Sequence, residues 1–305
     1  MESVHRRIYY VGENVKDDTK LWRYTRLSSL LMLLIGKLFV PTLDTLRKDD
    51  PAEATTLCKR TRARFKTPTA EDIECLQKCA TRAESQVIRH DENKRPQIFA
   101  NIWRREIGRR RCAWCWYGAD IESMAQWHVY AKDGIALCST PSRIRRALKE
   151  YAVDSGLIGE VRYDEGSGDE STFLRPYLMK RKYYEHEREI RVVLPAEPKA
   201  QLAGLLLPIG GRQLISEIRI SPLLPHGEAL GLRSALERFV NHAEGKRFAE
   251  LDHIRIGISD VKDISATIWE RFEFFAPEST GIANFGKSEM PFILSDDIKR
   301  GLVAG

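Results

Sequence analysis

The stretch LWRYTRLSSLLMLLIGKLFV, residues 21–40, changes its hydrophobic period twice. Trp22–Thr25 alternates like a short strand. Leu27, Leu30, Leu31 and Leu34 then recur at helical spacing, with Gly36 placed to stop the helix. Lys37–Val40 reads as a second strand. A strand, a helix and a strand in so short a span set the reading for the whole chain: α+β, a mixed, mostly antiparallel twisted sheet with inserted helices.

The flanking segments extend that pattern. Residues 1–20 are polar and lead into the first strand, and Thr42–Glu53 (TLDTLRKDDPAE) is turn-rich because Asp-Pro disfavours helix at the aspartate. From about 54 to 111 the pattern is helical and heavily charged, with basic clusters at Lys59–Lys66 and Arg104–Arg111. Cys112–Trp116 and Gly134–Leu137 read as strands, with a helix over Ile121–Tyr130 between them. Thr140-Pro141 opens another helix, a cap residue followed by proline in the first turn. Residues 158–163 and 187–194 read as strands around a polar loop, DEGSGDES. Leu214–Ile220 and His253–Ile258 add two more, separated by an amphipathic helix near 226–242. The expected organisation is one α+β domain over 1–245, with its helical insert at 54–111, and a C-terminal extension over 246–305 packed on the same domain.

Composition narrows the function classes. Of 305 residues, 43% are hydrophobic and 30% charged, which describes a chain able to bury a large core. A formal net charge of +6 tolerates an anionic partner without demanding nucleic acid. The longest apolar stretch, Leu27–Val40, contains Lys37 and is too short to span a bilayer. With no apolar targeting segment, the expectation is a cytoplasmic protein, no membrane, and six cysteines held as thiols. Cys75-x-x-x-Cys79 and Cys112-x-x-Cys115 have passable zinc spacing, but only one C-x-x-C pair exists and no metal is expected.

The run from Leu21 to Ala54, with its Asp50-Pro51-Ala52-Glu53 turn, resembles the opening of a bacterial family catalogued as domain of unknown function 2971. Cys115-Trp116, Glu122-Ser123-Met124, Trp127, Tyr130, Gly134 and Ser139-Thr140 are similar to the middle of that family. PYLMKRKYYEHEREIRVV (176–193) and the weaker ISEIRISPLLP (215–225) follow its later blocks. The blocks span roughly 21–240. The family carries no assigned activity, so the resemblance implies a fold rather than a reaction.

A second resemblance bears on chemistry. ADP-ribosyltransferases of the Arg-Ser-Glu type carry an arginine on an early strand, a Ser-Thr strand edge, and a Glu-x-Glu segment. Arg23, Ser139-Thr140 and Glu187-Arg188-Glu189 occur here in that order. The resemblance implies NAD as substrate. Arg23 would grip its pyrophosphate, Ser139 and Thr140 would orient the nicotinamide side, and Tyr24 and Tyr130 would help bind the dinucleotide. Glu189 would hold the ribose beside an oxocarbenium-like transition state, and Glu187 would position the acceptor. A strand's period of two would set both glutamates on one face. Such chemistry suggests an effector that modifies a macromolecule, protein or nucleic acid, in stress or phage response.

Blander readings stand beside each residue. Thr140 is a good helix N-cap, Arg23 can pin the turn through Asp50 or Glu53, and Glu187, Glu189 and Arg191 can form a solvated strand face. Trp114, Trp116, Tyr117 and Trp127 read as core, with Tyr130 the exception. Two rival functions remain: a nucleic-acid-binding or nucleic-acid-processing protein using the arginine clusters, and a non-catalytic partner-binding module.

Overall fold

A computed structural model describes residues 8–54, 59–150, 156–163, 175–196, 203–241 and 254–261. The loop at 164–171 and the extension beyond residue 261 lie outside the described residues.

Strand β1 (Ile8–Val11) is followed by β2 (Leu21–Thr25), helix α1 (Leu27–Leu34) and β3 (Leu38–Pro41). Helix α1 carries no charge and buries Leu30, Leu33 and Leu34. It ends at Gly36, whose φ of +80° lies in the left-handed region that favours glycine. There Lys37 N–H donates to the Met32 carbonyl at 2.8 Å and Gly36 N–H to Leu33 at 3.1 Å, the paired bonds of a Schellman stop.

The turn-rich segment forms a short helix, α2 (Leu43–Leu46), capped by the Thr42 hydroxyl. The insert is four helices: α3 (Lys59–Lys66), α4 (Ala70–Cys79), α5 (Arg82–His90) and α6 (Arg95–Arg110). Helices α4 and α5 both begin with capping boxes, Thr69 with Asp72 and Thr81 with Glu84. Phe65, Ile88, Phe99 and Ile102 give the insert its own apolar centre.

Helix α6 runs into β4 (Arg111–Gly118), then α7 (Met124–Tyr130), β5 (Ile135–Ser139) and α8 (Pro141–Glu150). Strands β6 (Gly156–Glu160), β7 (Arg162–Tyr163), β8 (Met179–Lys180), β9 (Glu189–Pro195) and β10 (Gly204–Leu207) follow. After them come the short helix α9 (Gly211–Leu214), β11 (Glu217–Ile220), helix α10 (His226–Asn241) and β12 (Arg255–Ile258).

Eight strands form one sheet in the order β1-β6-β9-β4-β2-β5-β11-β12. Its inner pairings are antiparallel; only the outermost pairs, β1 with β6 and β11 with β12, are parallel. The class is therefore α+β with a mixed, mostly antiparallel sheet. Strand β12 is an edge of this sheet, so the domain continues past the expected boundary at 245. Among the described residues no helix is long and apolar enough to cross a membrane.

One face of the sheet carries the main core, including Leu21, Trp114, Trp116, Leu137 and Val192. The other carries a smaller aromatic cluster of Trp22, Tyr24 and Trp127. At the centre, β2 and β4 pair through Leu21–Gly118 and Trp22–Tyr117 alone, although β4 goes on pairing with β9 and β2 with β5. The sheet therefore splits below Trp22. That split positions the site.

Candidate active site

Arg23 occupies the split. Its Nη1 donates to the Cys115 carbonyl at 2.6 Å, a group that β2 would have bonded had the two strands stayed together. Its guanidinium also lies 5.7 Å from the centroid of the Trp114 ring. Burial lowers its pKa against the opposing pull of Cys115 and Glu189. Arg23 does not pin the 50–53 turn.

Two other arginines do. Arg181 Nη2 donates to Asp50 Oδ1 at 2.9 Å, and Arg191 binds both oxygens of Glu53, at 2.6 and 2.7 Å. Arg191 also binds both oxygens of Glu189, from Nε at 3.0 Å and Nη2 at 2.9 Å, and gives a further bond to the Tyr177 carbonyl at 2.9 Å. It has no exposed surface, and Glu53 and Glu189 are 2% and 4% exposed. A solvated strand face is thereby excluded: this is a buried Glu53–Arg191–Glu189 triad. Burial pushes the Glu189 pKa up, but Arg191 and Lys180 outweigh it and hold the carboxyl at about 2.

Glu187 is reached differently from the strand alternation expected. It ends a 3-10 turn (Lys182–Glu187), Arg188 adopts the left-handed region at φ 39°, and β9 begins only at Glu189. The two glutamates still converge, because the left-handed residue folds the chain back between them. Lys180 Nζ bonds Glu187 Oε2 and lies 3.6 Å from Glu189 Oε2, while the Tyr130 hydroxyl donates to Glu187 Oε1 at 2.7 Å. Burial and the bond to Glu187 raise the Tyr130 pKa, so the phenol stays a donor. Burial disfavours the Lys180 cation, but Glu189 and Glu187 more than offset it and its pKa rises.

These groups line one cavity of about 220 Å³, walled by Trp22, Tyr24, Trp116, Tyr117 and the Asp50–Glu53 turn. Tyr24 is fixed by accepting the Ser123 N–H at 2.6 Å and by an edge-on contact with Trp127 at 5.0 Å. Of the residues singled out from the sequence, Arg23, Tyr24, Tyr130, Glu187 and Glu189 meet here. Ser139 and Thr140 do not. The Ser139 hydroxyl is fully buried and donates to the Leu214 carbonyl at 2.5 Å. Thr140 Oγ1 accepts the Arg143 N–H at 3.3 Å, the N-cap bond of α8.

Glu53, Lys180 and the buried role of Arg191 were not singled out from the sequence. Their one local signal was the opposite-charge spacing of Glu189 and Arg191 on alternate residues.

The cysteines form no ligand set. Alternation along β4 sends Cys112 and Cys115 to opposite faces of the sheet, and among the described residues no group of three or more His, Cys, Asp or Glu could hold a metal ion. The insert's arginines are engaged within the protein. Arg105 holds Glu84 bidentately at 2.8 and 3.0 Å, and Arg110 holds Glu106 at 3.0 Å.

Compared with described protein families, with curated proteins and with solved structures, the chain matches none.

Proposed function

We propose that the cavity is the active site of an NAD-consuming, ADP-ribosyltransferase-like enzyme acting on a macromolecular acceptor. The observation that carries this reading is the meeting of Arg23, Tyr130, Glu187 and Glu189, from separate parts of the chain, around one aromatic-walled cavity. Membership of the family catalogued as domain of unknown function 2971, a cytoplasmic location and a role in stress or phage response belong to the same proposal. The five cysteines described are unpaired, which supports the location.

The chemistry follows from the charges. The bond from the ribose C1′ to the pyridinium nitrogen breaks, and nicotinamide leaves neutral with the electron pair. Positive charge then develops on the ribose. Glu189, clamped by Arg191 and ionised down to about pH 2, supplies a fixed negative charge that needs no reorganisation. The acceptor nucleophile attacks C1′ and gives up a proton. Glu187, held by Tyr130 and Lys180, is the carboxylate placed to receive it. Ser139 and Thr140 have no part in this scheme.

Purified protein incubated with NAD is expected to release nicotinamide. Glu189→Gln should slow release by about 10²–10³-fold, the usual loss for one preorganised electrostatic group. NAD left intact after prolonged incubation with a folded protein overturns the reading.

A further inference from the structure

Three buried side-chain atoms at the cavity lack a partner: the indole Nε1 of Trp22, the indole Nε1 of Trp116, and Oδ2 of Asp50. Trp22 and Trp116 are each 2% exposed and Asp50 is 5% exposed. A sealed, unpaired donor or acceptor is costly, and such atoms are few in a folded protein. Three residues bearing them around one hollow mark a place made for a ligand with two acceptor positions and one donor. An amide group presents both kinds.

The charge of the lining adds a second constraint. Five of the lining residues are acidic and three, Arg23, Lys180 and Arg191, are basic. Counting Arg181, which ties Asp50 from outside the lining, an excess of negative charge remains. Arg23 already spends Nη1 on the Cys115 carbonyl, so it serves as the wedge in the sheet and not as a free phosphate clamp. An anion is disfavoured here. A flat cation is favoured, both by the carboxylates and by the faces of Trp22, Trp116 and the surrounding tyrosines. At about 220 Å³ the hollow suits one substituted ring, not a dinucleotide, since drug-sized ligands occupy roughly 300–1,000 Å³.

We propose that the cavity takes a compact, flat organic cation bearing a carboxamide, the charged pyridinium end of an oxidised nicotinamide nucleotide, and that it keeps the phosphates outside. This rests on the NAD reading and reverses the phosphate-gripping role expected of Arg23. The carboxamide oxygen accepts from the indoles, its NH₂ donates towards Asp50, and the ring charge is held among the carboxylates.

The test uses four small probes on the full chain, followed by calorimetry or saturation-transfer NMR. They are 1-methylnicotinamide (cation with amide), N-methylpyridinium (cation without amide), nicotinamide (amide without charge) and ADP-ribose (phosphates without the ring). The expected order has 1-methylnicotinamide binding about tenfold or more tighter than nicotinamide, as desolvated cation–π contacts imply, and tighter than N-methylpyridinium. ADP-ribose should fail to displace it. Trp116→Phe should erase the advantage of 1-methylnicotinamide over N-methylpyridinium while leaving N-methylpyridinium binding in place. Asp50→Asn offers the same readout should the tryptophan variant not fold. Equal binding of 1-methylnicotinamide and nicotinamide, or displacement by ADP-ribose, overturns the inference. If NAD is consumed but 1-methylnicotinamide does not bind, this inference falls and the NAD reading stands. If 1-methylnicotinamide binds and NAD is untouched, the cation site stands and the NAD reading falls.

Discussion

Replacing Arg191 by Met should damage the protein more than any other single change near the cavity, and the size of the effect can be worked from the structure. The guanidinium makes five hydrogen bonds, four to the carboxylates of Glu53 and Glu189 and one to the Tyr177 carbonyl. Met fills a similar space but leaves two carboxylates buried without their counter-ion. Breaking a single buried pair costs about 3–5 kcal/mol, against a total stability of roughly 5–15 kcal/mol. Two carboxylates share this one cation, so the upper part of that range applies. At about 2–4 °C per kcal/mol for a chain of this size, the melting temperature should fall by roughly 10–20 °C.

The pH dependence sharpens the test. In the wild type Glu189 is held at about 2, below the ordinary carboxylate value of 4.5. Its contribution is therefore fully present above about pH 4.5 and is lost as pH falls towards 2. At 1.36 kcal/mol per unit that is about 3 kcal/mol. In Arg191→Met the depressing charge is gone, and mild acid neutralises a carboxylate that has no partner. Thermal melts between pH 7 and pH 4 should show the variant closing on the wild type as pH drops. A double-mutant cycle with Glu53→Gln should be strongly non-additive, by about 1–3 kcal/mol, because the groups share one network. A fall of less than about 3 °C at pH 7, or simple additivity of the two changes, would refute the triad.

Other expectations are smaller. Tyr130→Phe removes the donor to Glu187 Oε1 and should cost about 1 kcal/mol or less in stability; NAD turnover, followed by nicotinamide release, should fall by at least tenfold. Thr140→Ala removes the α8 cap and should cost about 1 kcal/mol by urea titration, with turnover unchanged because its hydroxyl is not at the cavity. Gly36→Ala meets no neighbouring atom, so its cost is the left-handed backbone alone, about 1–2 kcal/mol, read as a shift in the urea midpoint.

Legibility in the sequence followed the range of the forces. Helix α1 and its stop at Gly36 are settled by local periodicity and one residue's freedom at positive φ, and both could be read directly. The insert was legible as helical for the same reason, its Thr-x-x-Asp and Thr-x-x-Glu caps lying within single turns. Strand β1, IYYV, sits in a polar neighbourhood and owes its order to pairing with β6, nearly 150 residues away, which no local pattern announces. Helix α2 was hidden inside a turn-rich composition.

At the site, the polar alternation of Glu189 and Arg191 looks like a wet strand face. Only the Asp50–Glu53 turn folding over β9, with Glu53 138 residues from Arg191, makes it core. The Ser139-Thr140 pair looked like ligand chemistry, but both hydroxyls are consumed in holding α8 and the Leu214 carbonyl. Arg188 in the left-handed region is what places Glu187 beside Glu189, a backbone choice that Glu-x-Glu in a strand would not suggest.

The central claim is that the split in the sheet, and not the Ser139-Thr140 edge, houses NAD cleavage. The most direct measurement is a proton NMR time course of NAD with wild type, Glu187→Gln and Ser139→Ala, each shown to be folded by its melting curve. The account predicts that nicotinamide appears with the wild type and with Ser139→Ala at similar rates, and at least about a hundredfold more slowly with Glu187→Gln. NAD that stays whole in all three, or a Ser139→Ala protein as inert as Glu187→Gln, would contradict it.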